Sequence, residues 1–290
     1  MGDMRVIDRV DELSQLPGVA DQVQQARKAC EELRWHPALR RRIPEAAAES
    51  RVRGAAASAA LEGAEVAGSR LSLTLVRDVM RGASRPPAQP DPQWQVLLGA
   101  VRVTAAAEQT TRATLSAPAQ SLARLHMAAG SALLPSASLG RPRGGGEDCR
   151  ENLGMGDPVP GHEVAERLRR IIELISGVAA GRQPTVLLSA VVHAELLAVR
   201  PFVAANGLLA RALERVTLHR AGVDPTGVAV IEAGHARSAG GEYHRALSAY
   251  ATGEPEGVAA WLVYAAGAVV DGAHDGVRVA DAVLAGRTAG

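Results

Sequence analysis

The sequence predicts a helical protein organised around a helix–loop–helix at 186–220, and three observations predict it. Residues 186–199 are apolar on nearly every face, the pattern of a helix buried on all sides rather than a surface helix with one apolar stripe. Pro201 ends that helix, because proline disfavours helical geometry in the residue before it. Leu208, Leu209, Leu213 and Val216 then recur at helical spacing, punctuated by Arg211, Glu214, Arg215 and Arg220, so a second helix starts near Gly207.

The flanking elements follow in order. An Ala-, Arg- and Glu-rich zone at 19–67, interrupted at Pro37 and Pro44, predicts two or three helices, with the basic run Arg40-Arg41-Arg42 on a solvated helix start. Four prolines in 84–92 make a rigid linker. Helices are expected over 93–114 and 119–134, then a glycine-heavy loop with one short hairpin over 144–161. Val164, Leu168, Ile171, Ile172 and Ile175 mark an amphipathic helix. Beyond the centre, a helix starting at Asp224-Pro225-Thr226, helices at 242–251 and 256–270, and a terminal helix over 273–290 complete the chain.

Composition narrows the class. The chain has 290 residues, 47% of them apolar, enough for a sizeable core in one large or two modest domains. A formal charge of +1 with both signs interspersed lacks the one-signed field of a nucleic-acid binder. Cys30 and Cys149 have no partners at metal-ligand spacing, and two cysteines do not make a disulfide framework in a chain this long, which points to a reducing compartment. The charged residues of 1–19 do not fit a signal peptide, and the longest apolar stretch, 258–270, is too short to span a bilayer. A cytoplasmic protein with no membrane partner is expected, and its Ala-rich helical surfaces suit a homodimer.

The chemistry concentrates at Asn206-Gly207. A loop entering a helix is an anion site in the making, since the first backbone N–H groups are unpaired and the helix dipole favours negative charge there. Arg211, one turn in, reinforces it. An ordinary helical corner with Asn206 as its cap accounts for the same spacing.

At Arg200-Pro201-Phe202-Val203-Ala204-Ala205-Asn206-Gly207-Leu208-Leu209-Ala210-Arg211 the chain resembles the Fic, or Fido, family, whose signature runs His-Pro-Phe-x-(Asp/Glu)-Gly-Asn-Gly-Arg-x-x-Arg. Pro201, the loop anchor Phe202, Asn206, Gly207 and Arg211 match. Arg200 stands at the histidine, Ala204 at the acid, Ala205 at the first glycine and Leu208 at the first arginine. His193 takes the place of a second family histidine on the preceding helix. Far upstream, Ser58-Ala59-Ala60-Leu61-Glu62-Gly63 is similar to the family's inhibitory-helix motif, with Ser58 and Glu62 one turn apart and Gly63 placed to end the helix. The resemblance implies that Glu62 pairs with Arg211. Gly140-Arg141-Pro142-Arg143 resembles the element opening the family's flap, which holds a target segment as an added strand.

The resemblance covers about 55–271. It implies an all-α Fido-type bundle around the central helix pair, with a short flap hairpin or loop. The implied units are an N-terminal helical region at 1–115, a Fido core at 116–272 and a tail at 273–290. It also implies an activity, AMP transfer from ATP to a target protein's hydroxyl group. Each departure from the signature removes a part of that chemistry. A guanidinium stays protonated below a pKa of about 12, so Arg200 cannot accept the hydroxyl proton as a catalytic base. Ala204 offers no carboxylate for Mg²⁺. Ala205 adds a Cβ where backbone must approach phosphate, and Leu208 removes a charge-assisted contact. The expectation is an AMPylation-like pseudoenzyme with no metal ligand. Asn206, Gly207 and Arg211 would bind ATP, another nucleotide or an anion, or the protein would serve a target or regulator. The alternatives are an active nucleotidyltransferase using His162 or His126 as base, and an interaction scaffold with an empty site.

Overall fold

The structure, a computed structural model, describes residues 10–66, 69–151, 155–181, 184–237 and 241–287. Parts of the expected N-terminal segment, flap loop and terminal helix, at 1–9, 152–154 and 288–290, lie outside the described residues. Helices dominate: α1 (Val10–Leu13), α2 (Val19–Arg34), α3 (Ile43–Leu61), α4 (Leu73–Arg81), α5 (Pro92–Glu108), α6 (Arg112–Leu115), α7 (Pro118–Gly130), α8 (Val164–Ala179), α9 (Thr185–Val199), α10 (Asn206–Arg220), α11 (Ile231–His235), α12 (Gly241–Ala251) and α13 (Pro255–Leu284). The only strands among the described residues are Glu65–Val66 and Ser69–Arg70, a two-residue antiparallel ladder that the sequence reading missed. No described helix is long and apolar enough to cross a membrane.

Helix α9 is the axis. All of its residues are buried except Glu195 and Ala198, which are half-buried, as its all-round apolar sequence requires. It is packed by α2, α8, α10, α12 and α13, and α10 returns beside it after the short loop at 200–205. One hydrophobic cluster runs from Val19 to Val283, so the N-terminal helices and the central pair share a core. Helix α3 ends where its sequence says it should. Gly63 adopts φ +77°, and the amides of Gly63 and Ala64 turn back to the carbonyls of Ala60 and Ala59.

Four expected helices come out differently. The span 93–114 breaks into α5 and α6 because Thr111 and Thr114 exchange side-chain and backbone hydrogen bonds, a capping box that starts a new helix. No helix begins at Asp224: its carboxylate accepts from Thr226 Oγ1 and from the amides of Gly227 and Ala229, closing a turn in place of a helical cap. The expected helices at 256–270 and 273–290 are one helix, α13. Gly272 does not interrupt it, because the missing side chain is where Ile231 packs and its carbonyl accepts from the Val230 amide. Between 140 and 161 the described residues form a loop with no hairpin.

Candidate functional site

The loop joining α9 to α10 is held at both ends in left-handed backbone. Arg200 has φ +46° and Ala205 φ +67°. Left-handed geometry costs an ordinary residue roughly 1–2 kcal/mol, and glycine in its place loses about 0.5–1 kcal/mol of unfolded-state entropy. Ala205→Gly is therefore expected to stabilise the protein by about 0.5–1 kcal/mol, read as a raised midpoint in urea unfolding.

Asn206 spans that loop. Its Oδ1 accepts from the Phe202 amide at 3.0 Å, and its Nδ2 donates to the Phe202 carbonyl at 2.9 Å. The expected helix cap is thus a loop clasp: Asn206 is the first residue of α10, and the capping position is Ala205, which offers no side-chain acceptor. Phe202 is buried and stacks on His126, with ring centroids 3.8 Å apart and planes 10° from parallel. His126 accepts from the Gly140 amide at Nδ1, which leaves Nε2–H to donate to the Ala204 carbonyl at 3.0 Å. Burial pushes this imidazole down to about 4. Both of its nitrogens are therefore engaged in holding the loop. His162 is exposed and faces Glu163.

Across the start of α10 lies the end of α3. Arg211 is buried and donates from Nε to Ser58 Oγ at 2.9 Å, from Nη2 to the Ser58 carbonyl at 3.2 Å and to Glu62 Oε1 at 2.5 Å, and from Nη1 to Tyr243 Oη at 3.2 Å. Ser58, Glu62 and Arg211, separated by some 150 residues, come together as the resemblance implies. Glu62 also presses on Gly207 so closely that a Cβ there would collide with its carboxylate. The cleft lined by Glu62, Leu197, Gly207, Arg211, Tyr243, His244 and Leu247 is closed by this arrangement.

Tyr243 carries the network inward. Its hydroxyl lies 2.8 Å from His193 Nε2, His193 Nδ1 lies 2.7 Å from Glu214 Oε2, and His235 Nε2 reaches the same oxygen at 2.7 Å. The three groups bring ligand-type atoms within 4.8 Å of one another. Their own hydrogen bonds account for this cluster: Glu214 accepts from both imidazoles, and His193 accepts from Tyr243. Burial alone would raise the Glu214 carboxyl, but His235 and His193 outweigh it and hold it at about 2.

Arg200 is taken up by the 140–161 loop. It is buried, and its guanidinium caps carbonyls of the 140–161 loop, Gly156 at 2.7 Å and Glu151 at 3.4 Å. That loop lies along the 200–204 segment through the amides of Arg143 and Arg150, which donate to the carbonyls of Pro201 and Val203 at 2.7 Å. Arg143, also buried, ties its base to the carbonyls of Arg200, Val199, Val159 and Glu147. At the position of the signature's acid, Ala204 presents a methyl group and a carbonyl already taken by His126, so this position has no carboxylate to offer Mg²⁺.

Sequence reasoning missed Glu151. Its carboxylate accepts from the Asn206 amide at 2.9 Å and from Asn206 Nδ2 at 2.6 Å, directly at the mouth of α10. It sits in a glycine-heavy loop without periodicity, and nothing in spacing marks it. Tyr243, Glu214 and His235 were likewise invisible as a network, because they lie on three different helices and meet only through packing.

No protein-family model and no curated protein sequence matches this chain. Solved structures do. A Fic family protein from Desulfovibrio desulfuricans superposes with a TM-score of 0.65 at 21% identity, over 90% of this chain and 74% of that one. Fic-1 from C. elegans gives 0.63 at 17% identity, covering 92% and 73%. A Fic domain containing signaling protein from Bacteroides thetaiotaomicron gives 0.57 at 13% identity, covering 90% and 98%. The chain therefore has the all-α fold of the Fic, or Fido, domain.

Proposed function

We propose that this protein is a Fido-fold pseudoenzyme whose α10 N-terminus binds the phosphate groups of a nucleotide, under control of the Glu62–Arg211 pair. The observation that carries this reading is the division of the site. Asn206, Gly207 and Arg211 stand together at the helix start, facing an acid that satisfies Arg211 in a ligand's place. At the position where the family's base would stand, Arg200 is buried in the loop and bound to carbonyls. Such a site neutralises and positions a phosphate, while the position of the signature histidine, which would accept the hydroxyl proton, holds a guanidinium that cannot. Regulation of a partner protein through nucleotide occupancy is the role that remains.

The test is calorimetric titration of ATP into the wild-type protein and Glu62→Gly, with and without Mg²⁺. Freeing Arg211 removes a charge-assisted contact of the stronger kind, so the variant is expected to bind at least about tenfold more tightly than wild type, with little dependence on Mg²⁺. Absence of binding to a folded Glu62→Gly protein at millimolar ATP would sink the nucleotide-site reading. Transfer of label from ATP to a protein, abolished by Asn206→Ala, would establish the transferase instead.

A further inference from the structure

Two carboxylates crowd the first turn of α10, and they come from segments far apart in the chain. Glu62 reaches in from the end of α3, against Gly207 and Arg211. Glu151 reaches in from the 140–161 loop, and its two oxygens take the backbone amide and side-chain amide of Asn206 at 2.9 and 2.6 Å. Unpaired amides at a helix start are the groups that hold an anion, so the position of Glu151 is the position a ligand oxyanion needs.

The placement is constrained rather than incidental. Arg150, the preceding residue, is fixed by its amide to the Val203 carbonyl at 2.7 Å, and Arg200 donates to the Glu151 carbonyl at 3.4 Å. Yet the carboxylate is poorly matched to its surroundings. Burial, and then the facing charge of Glu62, raise it to about 7 against the pull of Asn206. A carboxylate held by good geometry in an unfavourable field is one that a better anion can displace.

We propose that Glu151 is a second built-in occupant of the site, a tethered carboxylate that a ligand phosphate must displace from the first turn of α10. This rests on the nucleotide-site reading above and adds to it. Release of Glu62 alone leaves the site half filled, and full affinity requires both acids to withdraw. Displacing Glu151 then shifts the described residues just before it, and Cys149, whose Sγ lies 3.9 Å from Asn206 Nδ2, moves with them.

The experiment titrates ATP without Mg²⁺ at pH 8 into Glu62→Gly, Glu62→Gly/Glu151→Ala and Glu62→Gly/Glu151→Gln, each checked for folding by circular dichroism. The alanine variant is expected to bind about tenfold more tightly than Glu62→Gly, and the glutamine variant, which keeps an acceptor oxygen but loses the charge, by a smaller factor. Equal affinity within twofold across the three would overturn the proposal, making Glu151 a helix cap only, while the nucleotide site itself stood. No binding in any of them would overturn both readings. Binding that requires Mg²⁺ and is lost in the Glu151 variants would make Glu151 a metal ligand, and would also overturn the displacement. A second measurement needs no Glu151 variant: in Glu62→Gly, saturating ATP is expected to speed maleimide modification of Cys149 severalfold, with buried Cys30 silent, and an unchanged rate would overturn the proposal.

Discussion

Glu232→Ala is expected to lower the unfolding free energy by about 3–5 kcal/mol, the cost of leaving a buried guanidinium without its counter-charge. Arg215 on α10 meets Glu232 on α11 through two parallel bonds of 2.7 Å, with Ser50 of α3 at 3.2 Å from the third nitrogen. Both side chains are buried. Gly54 of α3 lies so close that a Cβ would stand 2.7 Å from Arg215 Nη2 and 2.8 Å from the Glu232 carboxylate, so the pair fixes three helices at one point. Urea unfolding at pH 7 measures the loss. The double replacement Arg215→Met/Glu232→Leu should recover most of it, since a buried pair contributes little beyond apolar packing of the same volume. A double variant as unstable as the single one would mean that the bonds themselves, not the stranded charge, hold the helices.

Glu214→Ala is expected to cost a similar amount, about 3–5 kcal/mol, by a different route. It strands the N–H groups of two fully buried histidines, His193 and His235, at roughly 1–3 kcal/mol each, and opens a small cavity. It also loosens Tyr243, which stands between His193 and Arg211, so nucleotide affinity in the Glu62→Gly background should fall in the same variant. The pH dependence of the wild-type protein reports the same network. His193 is held down at about 4 and Glu214 at about 2, both below their unfolded values, so the unfolded chain binds more protons and stability falls as pH drops. The His193 part is lost between about 6.5 and 4, together with that of His126. The Glu214 part is lost between about 4.5 and 2. Glu151, raised to about 7, works in the opposite sense between about 4.5 and 7, one carboxylate against two histidines, so the net loss on acidification stands. Stability that rises from pH 7 to pH 5 would contradict this protonation scheme.

The parts of the site that could be read in advance are those carried by local pattern. The all-round apolar run of α9 dictated a central buried helix, Pro201 its end, and the renewed periodicity at Leu208 the start of α10. Ser58 and Glu62 were legible as one helical face, and Gly63 as the place where α3 stops. Hydrogen bonds that reach across elements leave no such trace. Thr111 and Asp224 have side chains that compete for nearby backbone, and which of capping box or turn they form depends on neighbours folded against them. The expected break between 270 and 273 does not occur, because Ile231 packs into the space Gly272 leaves and α13 runs straight through.

By itself, then, the sequence determined a predominantly helical chain, the helix–loop–helix at its centre and the positions at which it departs from the Fic signature it resembles, because periodicity and residue chemistry act locally. Only the tertiary structure decided what fills the site. Glu62 and Glu151 arrive at one helix start from segments far apart in the chain, and a carboxylate's role depends on the amides, arginines and other acids that packing places within a few ångströms of it.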